Sequence, residues 1–409
     1  MDNIAGPPVE GEDFFGREGE VSSLWKLLQN HDVLLLGPRR VGKTSVAREL
    51  MKVGVGNDWH VMEVNIASCI DEQAFVEKLV KCLEVHQKSW AAQVVSKLGS
   101  RLSDFLLRLR RVKVAMHGTG SVALDLNAEQ REEWTDLASD ILRLMGDVRE
   151  RWLIYIDELP VFLFSLIAGD PASGVRRVRR FLDWFRNDVR AMPECSQVRW
   201  LVTGSVGLDT LVQRHRMAAT INSMRHETLG PFSDLVAQRM VGKLASSYGL
   251  ALSPVDTATF VRAIQWPQPY YIQLVFNYLR QRVQATGRAP GELIAAAIEC
   301  AVQPDTDNDF HHWEERLITQ LGKVDAYRAI ALLTLAAQKQ AGVQPETLLA
   351  ELQRHMSDYT PDEQREKFIE LRDILQRDAY WWPDETSGQR RYRFRLELLR
   401  LWWVRRRKL

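Results

Sequence analysis

The chain has 409 residues, 45% of them apolar and 26% charged, which is long enough for two or three domains with sizeable cores. Its 54 lysines and arginines almost balance 53 acidic residues, so a uniformly basic nucleic-acid coat is excluded and any such contact must come from a local patch. No apolar run approaches the roughly 18–20 residues that span a bilayer, the N-terminus lacks a basic-then-apolar signal pattern, and four dispersed cysteines suit free thiols, so a cytoplasmic protein without membrane contact is expected.

In chain order, an amphipathic helix is expected over Glu18–Gln29. A short apolar run from Asp32 to Gly37 follows, bounded by Gly-Pro, which suits a buried parallel strand. A helix over Lys43–Val53 and a strand over His60–Ile66 come next. Residues 71–109 read as helical, and the alternation of Val112, Val114, Met116 and Val122, Leu124, Leu126 about Gly118-Thr-Gly120 predicts a hairpin. A helix near Ala128–Val148 precedes the apolar strand Trp152–Ile156, then a helix over Val175–Arg190 and a strand over Trp200–Thr203. Strands alternating with helices predict a parallel sheet covered on both faces.

From Ser233 the pattern turns helical, over about 233–248, 254–264, 269–286 and 290–300. The acidic segment 302–312 reads as a linker. Three helices and two short strands, Tyr380–Trp382 and Tyr392–Phe394 about Gly388, suggest a winged helix-turn-helix at the end. The expected fold class is therefore α/β, a core over 1–232 with a three-layer α/β/α parallel sheet. A helical lid (233–302), a connector (303–325) and a winged-helix domain (326–409) would follow it.

The chemistry concentrates in two places. Gly37-Pro38-Arg39-Arg40-Val41-Gly42-Lys43-Thr44 matches the phosphate-loop pattern G-x-x-x-x-G-K-[ST] without a mismatch, after a strand and at the start of a helix. The glycines let backbone N–H groups curl around a β-phosphate at the positive end of the helix. Lys43 would neutralise β/γ oxygens, and the Thr44 hydroxyl would ligate Mg²⁺. The second place is the end of strand 152–156, where Asp157 and Glu158 sit at the carboxyl edge that binds ligands in open α/β sheets. Asp157 would hold Mg²⁺ and Glu158 would act as general base on the attacking water. Thr203 and Ser205, at the end of the next strand, offer hydroxyls to a γ-phosphate or to that water.

With Phe14-Phe15-Gly16-Arg17-Glu18 ahead of the first strand and Ser45 closing the loop motif, the sequence resembles the STAND-type P-loop ATPases, in particular the prokaryotic branch of archaeal-type ATPases related to AAA+ proteins. Ile154–Glu158, Leu201–Ser205, Leu229-Gly-Pro-Phe232 and Pro267-Gln-Pro269-Tyr-Tyr-Ile-Gln273 fall in that family's order, across about residues 10–285. Pro267 stands where the lid motif has Gly. The resemblance implies ATP or ADP with Mg²⁺, Phe15 and Arg17 near the adenine and ribose, Pro269 closing over the nucleotide, and a C-terminal winged helix. In related ring-forming ATPases an arginine at the place of Arg225 reaches a neighbouring subunit's γ-phosphate, which would imply a nucleotide-dependent homo-oligomer; the alternative is a surface arginine pairing a nearby carboxylate.

Two basic clusters remain. Arg176, Arg177, Arg179 and Arg180 mark a solvated helix face or a partner contact. Nine cations lie within residues 390–409 against Glu397 alone, beside Trp381, Trp382, Trp402 and Trp403. They would either contact DNA phosphates or dock onto acidic groups of the fold or of a partner. The functional expectation is an ATP-hydrolysing NTPase whose nucleotide state positions lid and winged helix. The rivals are a slow-turnover switch signalling to a separate effector or sensor protein and a winged-helix DNA-binding regulator. The dispersed histidines propose no metal beyond Mg²⁺.

Overall fold

The computed structural model describes residues 1–90, 128–146, 150–204, 207–386 and 388–407. The chain divides into two compact units: Glu20–Leu36 with Val46–Glu227, and Met1–Gly19 with Gly37–Ser45 and Thr228–Leu409. Each has its own core.

The first unit holds a five-stranded sheet of order β2-β3-β4-β1-β5. Its strands are β1 (Val33–Leu36), β2 (His60–Asn65), β3 (Trp152–Asp157), β4 (Val198–Gly204) and β5 (Arg225–Thr228, whose last residue belongs to the second unit). The pairings β2·β3, β3·β4 and β4·β1 are parallel, with Asn65 opposite Asp157, Ile156 opposite Val202 and Leu36 opposite Gly204. All four residues of β1 and all six of β3 are buried, as continuous apolar runs demand of a sheet covered on both faces. Helices α1 (Glu18–Leu28) and α2 (Lys43–Gly56) fall where periodicity placed them, α3 (Glu72–Trp90) covers the first part of the helical run expected over 71–109, of which 91–109 lies outside the described residues, and α4 (Ala128–Gly146) again matches. The hairpin expected over 112–126 lies outside the described residues. After α5 (Leu159–Gly169), the helix expected over 175–190 divides: α6 (Gly174–Asp183) passes into a π-helical turn over Trp184–Val189. That wider turn brings consecutive Trp184 and Phe185 both into the core, which a regular helix face does not do. There they join Phe75, Trp134 and Phe181, with ring centroids 5.1 Å apart for Phe75 and Phe181. Helix α7 (Gly207–Arg214) leads towards β5, which Arg225 opens.

The second unit is mainly helical. Capping fixes its boundaries: Ser233 caps α8 (Asp234–Ser247), and α9 (Pro254–Ile264) starts with a capping box of Ser253 and Asp256. Helix α10 (Pro269–Thr286) has proline in its first turn and ends at Gly287 with φ 65°. Helix α11 (Ile294–Cys300) is followed by a 3-10 turn, Pro304–Asp309, in the segment expected as linker. Helix α12 (His311–Ala337) is interrupted at Gly322, whose φ of 74° and ψ of 168° are not helical. After α13 (Pro345–Arg354) and α14 (Pro361–Arg377), β6 (Trp381–Asp384) and β7 (Arg391–Phe394) pair antiparallel with Trp381 opposite Phe394. A last helix, α15 (Glu397–Arg406), closes the chain's described part. Trp381, Trp402 and Trp403 are buried in this unit's core and Trp382 is exposed, so three of the four tail tryptophans are packing residues.

Candidate functional site

The phosphate loop leaves β1 at Leu36 and ends in the first turn of α2. Two of its residues have backbones in the left-handed region: Gly42 at φ 97° and, without the freedom of glycine, Arg40 at φ 68°. Gly37 admits no side chain, because a Cβ there would lie 2.6 Å from the Leu229 carbonyl oxygen. Lys43, 7% exposed, turns its ammonium into the loop and donates to the carbonyls of Gly37 (2.9 Å) and Pro38 (3.0 Å). Ser45 accepts a hydrogen bond at its Oγ from the Val9 amide at 3.0 Å, and Val41 is fully buried.

Around the loop stand the flanking motifs of the same unit. Arg17 is buried; its Nη2 donates to the Gly230 carbonyl (2.6 Å) and to that of Val41 (3.5 Å), and its guanidinium lies 4.6 Å from the Phe232 ring centroid. Phe15 meets Phe232 edge-on at 6.5 Å, with Lys243 over its other side. The lid motif reaches the same segment, since the Phe232 amide donates to the Pro267 carbonyl at 3.1 Å. Pro269 opens α10. Gln268 before it is fully buried, and neither atom of its side-chain amide has a partner. Phe15, Arg17, the loop and the lid motif therefore gather about Leu229–Phe232.

Sequence reasoning missed the partners of Arg40. Its guanidinium stacks on the Tyr270 ring, 3.8 Å from the centroid, and pairs with Asp309 at 3.7 Å; the Tyr270 hydroxyl donates to Asp309 at 2.5 Å. Burial, then the Asp309 hydrogen bond, pushes the Tyr270 phenol up, so it stays a donor. His312, one turn on, is buried with an unpaired Nε2. Burial first, and then the charges of Arg40, Arg39 and Arg316, hold it down at about 2, so it is neutral. Arg39 is exposed. The acidic run of 305–309 was the available signal, and it was read as solvated linker.

On the sheet, Asp157 ends β3 and is 8% exposed. Thr203 is fully buried and donates to the Asp157 carboxylate at 2.5 Å, with the Ile156 carbonyl and Tyr155 hydroxyl each 3.4 Å away. Its hydroxyl thus aims the carboxylate. Glu158, between β3 and α5, adopts φ 58° and ψ 40°, a left-handed conformation rare outside glycine and concentrated at functional positions. Ser205 lies outside the described residues. Arg225 is exposed at the start of β5; its amide donates to the Asp32 carbonyl, and its guanidinium has no partner among the described residues. Thr44 and Asp157 each carry a hard oxygen donor of the kind that Mg²⁺ takes.

The basic regions are largely closed on themselves. Arg177 makes a bidentate pair with Glu72, and Arg179 donates to the carbonyls of His215 and Arg216, while Arg176 and Arg180 stay at the surface. In the tail, Arg390 pairs Glu385, Arg393 pairs Asp384 and Arg400 pairs Glu397. Arg405 and Arg406 meet Asp307, and Arg406 and Arg407 meet Glu314. Burial alone would raise Asp307, but hydrogen bonds from Trp402 and Arg405 outweigh it and hold its carboxyl below the usual range.

No protein-family model matches the chain, and no curated protein matches its sequence. Among solved structures, it is similar to a Walker-type ATPase of Pyrococcus abyssi, with a TM-score of 0.60 at 15% identity over 98% of this chain and 99% of that one. The fold is that of a P-loop nucleoside triphosphatase. A second likeness, to the ORC2 protein of Aeropyrum pernix in its ADPNP–ADP complexes, has a TM-score of 0.57 at 13% identity and covers 97% of this chain and 95% of that one. Identities this low carry the fold alone. Among the described residues, no helix is long and apolar enough to cross a membrane.

Proposed function

We propose that this chain binds and hydrolyses ATP as a STAND/AAA-like NTPase, and that the bound nucleotide sets the positions of the lid and of a C-terminal winged helix. The observation that carries the reading is the phosphate loop: strand, loop and helix in the order phosphate binding demands, with Lys43 held inside it. The loop amides would cradle the β-phosphate, and Lys43 would exchange its two carbonyl contacts for β/γ oxygens. Thr44 and Asp157 would hold Mg²⁺, which supplies charge neutralisation on the phosphates when bound. Thr203 keeps the Asp157 carboxylate aimed. Glu158, next in the chain after Asp157, would take a proton from the attacking water. Phe15, Arg17 and Pro269 would flank the base and ribose, and the unpaired Gln268 amide supports a polar edge being received there.

Arg225, exposed and without a guanidinium partner among the described residues, would serve a neighbouring subunit in a nucleotide-dependent homo-oligomer. The tail favours docking over DNA, because its arginines already face carboxylates. Replacing Lys43→Ala tests the whole reading. Calorimetry should show ATP·Mg²⁺ affinity lost, since no second ammonium replaces it in the loop; undiminished affinity would remove the site assignment.

A further inference from the structure

We propose that the side chain of Arg40 is a tether that holds the phosphate loop in its phosphate-binding conformation, with Tyr270 and Asp309 as its anchor. The inference rests on nucleotide occupying the loop, as proposed above.

The argument starts from the backbone. At φ 68° Arg40 sits in the left-handed region, where an L-residue's Cβ crowds the carbonyl that follows. Such a conformation persists only where its surroundings over-determine it. Val41 and Gly42 behind it must present their amides inward, so if Arg40 relaxes to negative φ the cradle is lost. A glycine at that position would be indifferent to the relaxation, whereas arginine gains from it.

The side chain supplies what the backbone lacks. The Tyr270 ring lies 3.8 Å beneath the guanidinium, and Asp309 pairs with it at 3.7 Å. The side chains of Arg40 and Asp309 are only 26% and 24% exposed, so solvent screens the pair less than it would a surface pair. The Tyr270 hydroxyl donates to Asp309 and fixes the carboxylate. Tyr270 is itself held in the first turn of α10, behind Pro269, and neutral His312 offers Asp309 no competing charge. Three groups from the loop, the lid helix and the 304–309 turn thus fix one dihedral angle of the phosphate loop. Asp307, on that same turn, takes hydrogen bonds from Trp402 Nε1 at 2.9 Å and from Arg405. The anchor of the loop and the clamp on α15 are therefore one short element, through which nucleotide binding and the seating of the last helix become reciprocal.

The test is a set of nucleotide affinities, for ADP and ATP·Mg²⁺ by calorimetry, on the full chain. Asp309→Asn should weaken binding by about five- to ten-fold, and Tyr270→Phe, which deletes only the hydroxyl, by less. Arg40→Ala keeps the crowded Cβ and loses the tether, so it should bind worse than Arg40→Gly, which loses both. In the Arg40→Gly background, Asp309→Asn should add nothing. A guanidinium that simply touched phosphate would give Arg40→Ala and Arg40→Gly equal losses, and that equality overturns the tether. So does a Lys43-dependent wild-type affinity left unchanged by both Asp309→Asn and Tyr270→Phe. If the wild-type chain binds no nucleotide and Lys43→Ala changes nothing, the reading of the site itself falls and takes the tether with it. Should Asp309→Asn fail to fold, Tyr270→Phe and the Gly-against-Ala comparison decide alone.

Discussion

Changing Arg405, Arg406 and Arg407 together to Gln separates a tail that docks from a tail that binds DNA. Their four ion pairs, to Asp307 and Glu314, involve side chains between 16% and 33% exposed. Pairs of that exposure are worth about 0.5–1 kcal/mol per arginine, at the upper end of surface values. Arg406 and Arg407 also lie over the rings of Trp402 and Trp403, at 5.4 and 5.7 Å, which adds a smaller cation–π contribution. The triple variant should therefore lose about 1.5–3 kcal/mol, and at about 2–4 °C per kcal/mol for a unit of this size its Tm should fall by about 3–12 °C. Calorimetric melting in low salt measures this. The difference should shrink at about 1 M salt, where the screening length is about 3 Å. A variant that melts with the wild type, yet whose DNA affinity loses salt dependence by up to about three units of slope, would refute the docking argument. Slopes near −0.9 per phosphate would then belong to arginines facing DNA and not carboxylates.

Glu158→Gln keeps the shape of the side chain while removing the base, so ATP should bind and persist, with turnover lowered by about a hundred-fold or more in a phosphate-release assay. Turnover at the wild-type rate would move the base elsewhere and favour the slow switch. His312 gives a pH signature. Its folded value of about 2 lies below the ordinary 6.5, so the unfolded chain binds the extra proton and stability falls as pH drops below 6.5. The loss should reach about 1.4 kcal/mol near pH 5.5. His312→Gln should flatten Tm between pH 7 and 5.5, and an unchanged slope would show that another group titrates there.

How much of this was legible depends on how local the chemistry is. The phosphate-loop motif could be read because its glycines, lysine and hydroxyl must follow one another along eight residues between a strand and a helix. Asp157 and Glu158 could be read because an apolar run ending in two carboxylates is itself the signature of a strand edge. The capping boxes at Ser253 and Thr360 set helix boundaries through contacts three residues apart. The acidic segment 302–312 obeys no such rule. Composition alone marked it as solvated, yet Asp309 holds Arg40 far back in the chain, and Asp307 holds Arg405, 98 residues ahead. The same distance hid the fate of the basic tail, whose charge looked uncompensated because Glu397 was its only acid within twenty residues. In both places a run of one charge appeared as a surface feature and was half of a buried or part-buried pair.

The left-handed residues extend the point to mechanism. Glu158 and Arg40 both adopt φ near 60° without being glycine, one after β3 and one after β1. A sequence gives no warning of this, since neither residue type prefers the conformation. Each must be held by its surroundings, and for Arg40 those are Tyr270 and Asp309. A glycine at position 40 would have met the backbone requirement without any partner. Arginine makes the loop's shape depend on the lid helix and on the turn that also grips α15. A nucleotide that stabilised the loop would then stabilise those contacts as well, which is the coupling that the function proposed above requires.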